Sequence, residues 1–227
     1  MSVVKTKLDA VPDVRMEIFQ NRKEWLAYRT GIGGSDAAAI IGMNPYMNNQ
    51  ELWEIKTGRR RQEDISEKPY VIYGINAEAH LRELFKLDFP ELTVDYIENN
   101  MFFNIKYPWA HASLDGWLTD SDGRRGILEI KTSEILRSMQ KERWYEQIPD
   151  NYYIQLLHYL MVTDADFAIL KAQLKYDYSG DIFLQIRHYH IERTEVAEDI
   201  EILKNAEAEF WGHIQNDTRP NLMLPSI

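Results

Sequence analysis

The stretch from His111 to Thr132 leaves this chain few choices. Two apolar runs flank Asp120-Ser121-Asp122-Gly123, and Asp-Gly between alternating apolar residues is a strong hairpin signal. If the strands pair symmetrically about Asp122, Asp115 lies opposite Glu129. Side chains alternate along a strand, so Glu129 and Lys131 share one face while Leu128 and Ile130 point to the other. The pattern predicts two carboxylates and an amine on a hydrated sheet face, with an apolar face behind it.

Such a cluster suits a hydrated metal site and phosphodiester hydrolysis. Mg²⁺ keeps several waters and is usually held by one or two protein carboxylates together with substrate phosphate. It lowers the pKa of bound water and offsets charge on the phosphate, and two ions about 3.5–4 Å apart can clamp both reacting oxygens. Lys131 would position or help deprotonate the attacking water. A Glu-x-Lys tripeptide by itself carries no weight, since about one is expected by chance in a chain this size. A second copy, Glu54-Ile55-Lys56, sits in a helical-looking run with no paired aspartate before it.

With 227 residues the chain is read as a single domain, residues 1–227, with a lead-in at 1–14 and a tail at 217–227. No apolar stretch is long enough to span a membrane and no signal layout opens the chain, so the expectation is a cytoplasmic protein. The absence of cysteine excludes disulfides, thiolate zinc sites, iron–sulfur clusters and cysteine nucleophiles. A net charge of −10 argues against a blanket nucleic-acid coating, yet a local basic patch or a metal ion can still carry phosphate contacts.

Along the chain, residues 15–28 read as a helix with Asn21 a possible N-cap. Arg29-Thr30-Gly31-Ile32-Gly33-Gly34-Ser35-Asp36 follows, a glycine loop ending in a Ser35/Asp36 cap. It is neither a phosphate-binding Walker loop nor a dinucleotide fingerprint. It could hold an anion at a helix start, with Arg29 adding a charge-assisted fork, or be an ordinary capped helix. A helix from Asn49 or Gln50 to near Gly58 leads into Arg59-Arg60-Arg61, a run that fits either a DNA backbone or a solvated face. Residues 73–85 read as an amphipathic helix with a stripe of Ala77, Leu81, Leu84 and Phe85, and Glu78 at its margin. Two β-like runs follow Thr93. After the hairpin, residues 133–145 read as an exposed helix, and 151–162 as a strong helix with Gln155 and Tyr159 one turn apart. Strands are expected at 167–176 and 182–191. His188 and His190 share a strand face there but lack a third zinc ligand. A last helix spans 195–214. The order implies an α/β core with an N-terminal helical layer.

These motifs, in this order, resemble a known family. Arg29-Thr-Gly-Ile-Gly-Gly-Ser35-Asp36, Gly74-x-x-x-Glu78, Ser113-Leu-Asp115-Gly116, Glu129-Ile-Lys131 and Gln155-x-x-x-Tyr159 are similar to the phage lambda exonuclease family of YqaJ-type viral recombinases. That family is a branch of the PD-(D/E)xK nuclease superfamily, with a restriction-endonuclease-like core of mixed sheet and flanking helices. The likeness covers about Trp25 to Thr163. It implies that Asp115, Glu129 and the carbonyl of Ile130 bind Mg²⁺, with Mn²⁺ as a substitute. It further implies that Lys131 serves the attacking water, that Glu78 contributes to the metal site or its surroundings, and that Gln155 supports the centre. Arg29, Ser35 and Ser113 match positions that hold a terminal 5′-phosphate. Leu114 departs from the proline often found before the first aspartate.

The resemblance implies a Mg²⁺-dependent exonuclease that degrades the 5′-ended strand of duplex DNA to mononucleotides and leaves a 3′ tail. It also implies a ring-shaped homotrimer around DNA and a single-strand annealing protein as partner, in a bacterial or phage-infected cytoplasm. Two other readings stand beside it. One is a related endonuclease or an exonuclease of other polarity. The other is a non-catalytic DNA-binding module, which the intact Asp115, Glu129 and Lys131 disfavour.

Overall fold

A computed structural model describes residues 11–135, 142–178 and 180–224. Its strands are β1 (Val14–Ile18), β2 (Thr93–Asp95), β3 (Asn100–Asn104), β4 (His111–Ala112), β5 (Gly116–Thr119), β6 (Arg125–Ile135), β7 (Phe167–Tyr178) and β8 (Asp181–Glu192). Its helices are α1 (Arg22–Tyr28), α2 (Gly34–Ile40), α3 (Asn49–Lys56), α4 (Pro69–Asp88), α5 (Asp150–Thr163) and α6 (Ala197–Gln215). A five-stranded sheet runs β2-β5-β6-β7-β8 and a three-stranded one runs β1-β3-β4.

The hairpin forms as its turn chemistry demands. Gly123 takes a φ of 81°, which a residue without Cβ adopts freely. The Asp120 carboxylate accepts from the backbone N–H groups of Asp122 and Arg124. Gly116 then pairs with Leu128 and Trp117 with Ile127, the expected register. β6 runs parallel to β7. Parallel neighbours cannot be joined by a tight turn, and α5 supplies the crossover between them.

Both faces are covered at the first half of β6, where Ile127, Leu128 and Ile130 are buried. On one face Leu128 and Ile130 pack with Leu118, Phe167 and Ile169 under Leu81 and Phe85 of α4. On the other, Ile127, Ala168, Leu170 and Ala172 pack beneath Ile154 and Leu157 of α5. Each large side chain removed from water in this way contributes roughly 1.5–3 kcal/mol. α5 lies between sheet and α6, and ten of its residues, from Ile154 to Thr163, are buried.

Several local expectations change in the folded chain. Residues 14–18 are a strand, so 15–18 are not the start of the helix expected over 15–28, because β3 pairs with them from Val14↔Asn104 to Ile18↔Asn100. The helix begins only at Arg22, where the Asn21 side chain accepts from Glu24 N–H as its N-cap. Residues 133–135 continue β6, since β7 pairs with it as far as Ile135↔Tyr176; of the expected 133–145 helix, residues 136–141 lie outside the described ones. Leu84 is 48% exposed and leaves the α4 stripe, while Arg82 is buried. The start of the expected tail is anchored on α3. Asn49 donates to the Asn221 carbonyl and accepts from Met223 N–H, and Gln50 donates to the Pro220 carbonyl.

Candidate active site

β6 carries Glu129 and Lys131 on the α5 side of the sheet, and Asp115 immediately precedes β5, its partner. The Asp115 Oδ2 accepts from Ile130 N–H at 2.8 Å, extending the hairpin ladder through a side chain. Lys131 Nζ donates to Glu129 Oε1 at 2.5 Å, and Gln155 Nε2 of α5 reaches the same oxygen at 2.8 Å. Gln155 also donates to Tyr159 Oη at 2.8 Å, so the one-turn spacing becomes a contact. From the opposite side, Arg82 of α4 donates to the Asp115 carbonyl oxygen and to Glu78. Glu78, Asp115, Glu129, Lys131 and Gln155 therefore line one cleft of about 650 Å³.

The cluster is less hydrated than the strand pattern suggests. Glu129 is 2% exposed, because α5 packs over the face that Glu129 occupies. Burial and the charge of Asp115 push its carboxyl up to about 8, although Lys131 pulls the other way. Burial and Asp115 likewise push Glu78 up to about 7, against Arg82 and Lys131. Burial raises Asp115 too, opposed by Lys131, the Ile130 N–H and Arg82. Burial alone would lower Lys131, but Glu129 and Asp115 hold it above the usual ammonium range. Here Lys131 is a donor.

This electrostatic congestion fits a divalent cation. Glu129 Oε2 is buried with no hydrogen-bond partner among the described residues, and an unsatisfied carboxylate oxygen is costly unless a cation or donor meets it. Among the described residues no three His, Asp or Glu side chains form a ready-made ligand cage. Two carboxylates with a backbone carbonyl and waters is, however, the donor set a Mg²⁺ ion prefers. Groups on one residue leave a strand on the same edge, so the Ile130 carbonyl lies on the edge where Asp115 holds the Ile130 N–H.

The same cleft is also lined by Arg29, Ser35 and Ser113. Arg29 closes α1 and lies 4.5 Å over the Trp25 ring. Trp25 Nε1 donates to Ser113 Oγ at 3.1 Å, and Ser113 Oγ donates to the Asn100 carbonyl at 2.8 Å. Ser35 is exposed on the first turn of α2. The N-cap of α2 is Gly33 rather than Ser35 or Asp36, and the Asp36 carboxylate accepts from Gly33 N–H. The glycines here are steric requirements. A Cβ on Gly34 would lie 2.4 Å from the Tyr159 ring, and one on Gly31 would lie 2.4 Å from the Trp109 carbonyl oxygen.

Four residues of this neighbourhood carry no site role in the sequence reading. Arg82 was legible as the i+4 partner of Glu78. Asn100 gave no signal; its amide clamps Leu114 by accepting from the N–H and donating to the carbonyl, which shapes the approach to Asp115 without a proline. Trp25 bridges Arg29 and Ser113. Lys56, from the discounted Glu-x-Lys copy, holds the glycine loop by donating to the Gly31 carbonyl and pairing with Asp36, both at 2.7 Å. Burial would raise Asp36, but Lys56, the Gly33 N–H and Arg29 hold it below the usual carboxylate range. In the arginine run, Arg59 pairs with Asp217 and Arg60 with Glu51 and Glu54. His188 faces Asp88 and His190 faces Glu192, so the two do not converge.

The YqaJ-like viral recombinase domain matches residues 24–166. YqaJ of Bacillus subtilis (strain 168) is 32% identical over 193 residues, 84% of this chain and 56% of that protein. The chain thus spans little more than half the length of that relative. The crystal structure of the alkaline exonuclease LHK-Exo from Laribacter hongkongensis is similar with a TM-score of 0.58 and 19% identity, covering 86% of this chain and 95% of that one. Its complex with dAMP gives a TM-score of 0.60 at the same identity and coverage. A phage-related exonuclease from Haemophilus somnus 129PT gives 0.52 at 15% identity, covering 86% and 99%. At such identities the likeness is one of fold. The shared core is a mixed sheet flanked by helices, and by the match of the family model across residues 24–166 this chain belongs to the YqaJ-like viral recombinase family.

Proposed function

We propose that this protein is a Mg²⁺-dependent deoxyribonuclease that removes nucleotides from the 5′-ended strand of duplex DNA in the 5′→3′ direction. The observation that carries the reading is the convergence of Asp115, Glu129 and Lys131, with the unpartnered Glu129 Oε2, in a cleft also lined by Arg29, Ser35 and Ser113. LHK-Exo, a structural neighbour, is known in complex with dAMP, which supports a nucleic-acid substrate here.

Asp115, Glu129 and the Ile130 carbonyl would hold the ion, and Mn²⁺ would substitute for it. When bound, the ion supplies charge neutralisation at the scissile phosphate and a lower pKa for its water. Lys131 orients the attacking water and offsets phosphate charge. Gln155 keeps Glu129 aimed into the cleft, and Arg82 holds Glu78 and the Asp115 backbone at its other side. Arg29, with a guanidinium geometry suited to phosphate oxygens, would seat the terminal 5′-phosphate together with Ser35 and Ser113. A ring-shaped homotrimer would keep an acidic chain on DNA by enclosure rather than by phosphate contacts alone, and the 3′ tail would pass to a single-strand annealing protein. The working compartment would be the cytoplasm of a bacterium or phage-infected host.

One incubation tests the reading. A linear duplex with one labelled 5′-phosphorylated end is mixed with the protein, with and without Mg²⁺, and each strand is followed. Mononucleotide release from the 5′ end, only with Mg²⁺, is expected. Internal cuts, shortening from the 3′ end, or no digestion would each overturn it.

A further inference from the structure

A second cavity, of about 260 Å³, opens on the α4 face of the sheet beside the active-site cleft. Its floor follows from the register. Thr132 pairs with Gln173 and Glu134 with Lys175, and residues two apart on a strand share a face. Its wall is the start of α4, which contributes Tyr70 and Tyr73. Val71, Gly74, Ile75 and Glu78 of the same helix line the larger cleft instead. α4 is thus a ridge between two cavities, and Thr132 lines both. At the ridge the helix lies low on the strand: a Cβ on Gly74 would sit 3.2 Å from Thr132 Oγ1.

Tyr70 is 58% and Tyr73 42% exposed, so ring surface of both lies open beside the cavity. Tyr73 is also held in one orientation, since its Oη donates to Gln173 Oε1 at 2.5 Å. Lys175 lies at the floor, paired at 3.1 Å with a half-exposed Glu134. An oriented tyrosine ring with a second ring beside it, an amide and hydroxyl at the floor, and an ammonium nearby suit an unpaired base and its phosphate. The space admits one base and excludes a duplex.

We infer that this cavity binds an unpaired base of a single DNA strand, stacked against Tyr73 and Tyr70 with its phosphate toward Lys175. The assignment rests on the nuclease reading for the presence of DNA in the adjoining cleft, and it adds a holding point for the strand that is not cut.

The test uses the full chain in EDTA, so that hydrolysis plays no part. A twelve-residue oligothymidylate with a 5′-hydroxyl and a 3′-fluorophore is titrated by fluorescence anisotropy, and a 4-thiothymidine version is photocrosslinked and mapped by mass spectrometry. Crosslinks at Tyr70 or Tyr73 are expected, with affinity falling about tenfold in Tyr73→Ala, the loss of one stacked base. Tyr73→Phe keeps the ring and should keep most of the affinity. Unchanged affinity in Tyr73→Ala, equal loss in Tyr73→Phe, or crosslinks confined to the larger cleft would overturn the assignment. Hydrolysis of duplex is measured separately on the same preparations. Strand binding at the tyrosines without Mg²⁺-dependent cutting would remove the nuclease reading and support the pocket.

Discussion

At Glu129, burial and a neighbouring acid oppose ionisation while Lys131 and Gln155 hold one carboxylate oxygen and leave the other unpartnered. An arrangement that discourages charge in isolation is one that a cation relieves. Asp115→Asn should therefore lower Mg²⁺-dependent digestion by about 10²–10⁴-fold, the rate equivalent of losing several kcal/mol of stabilisation by a bound ion. Asparagine can still accept from Ile130 N–H, so the melting temperature should barely move; near-normal turnover would remove Asp115 from the mechanism. Arg29→Ala should erase the preference for 5′-phosphorylated over 5′-hydroxyl ends, read as a ratio of initial rates. Equal loss on both kinds of end would count against a phosphate seat at Arg29.

Among the elements, the contact between α2 and α5 brings Ser35 and Gln155 to one cleft. Gly34 permits it, because any side chain there would meet both the Tyr159 ring and, at 2.9 Å, Gln155 Cγ. Gly34→Ala should destabilise the fold by about 1–3 kcal/mol, the cost of overpacking a filled interior. Urea denaturation measures this as a shift in midpoint without a change in slope. Activity should fall with it, since the displaced Gln155 is the residue that aims Glu129. An alanine variant of full stability would show that α2 and α5 can separate at no cost.

Across the whole molecule, His158 of α5 joins distant parts of the fold. Its Nδ1 lies 2.7 Å from Glu207 of α6 and its Nε2 lies 2.9 Å from the His111 carbonyl oxygen of β4. Both ring nitrogens face acceptors, so the geometry calls for the doubly protonated imidazolium. Burial by itself would lower its pKa, but Glu207 and the His111 carbonyl raise it above the ordinary 6.5. A raised folded-state value stabilises fully below 6.5 and is lost as pH rises through that higher value. Thermal stability should accordingly decline as the solution is made alkaline. Glu207→Gln should lower stability near pH 6 by about 3–5 kcal/mol, as expected for breaking a buried pair, and should flatten the alkaline decline. A parallel pH profile in the variant would show that His158 is not the titrating group.

What the amino-acid order alone determined was local in origin. The Asp-Gly turn and the period of two placed Asp115, Glu129 and Lys131 in one register, and the period of 3.6 put Gln155 beside Tyr159. Those patterns act through residues a few positions apart, so neighbouring side chains are enough to reveal them. Tertiary structure decided the rest. Residues 14–18 became a strand because β3 offered its edge, residues 133–135 stayed in β6 because β7 ran beside them, and Asn49 drew in the chain after α6. The closing of Glu129 from water likewise came from α5, docked from a later part of the chain. Pairing edges and burial depend on partners distant in sequence, and no local periodicity records where those partners will lie.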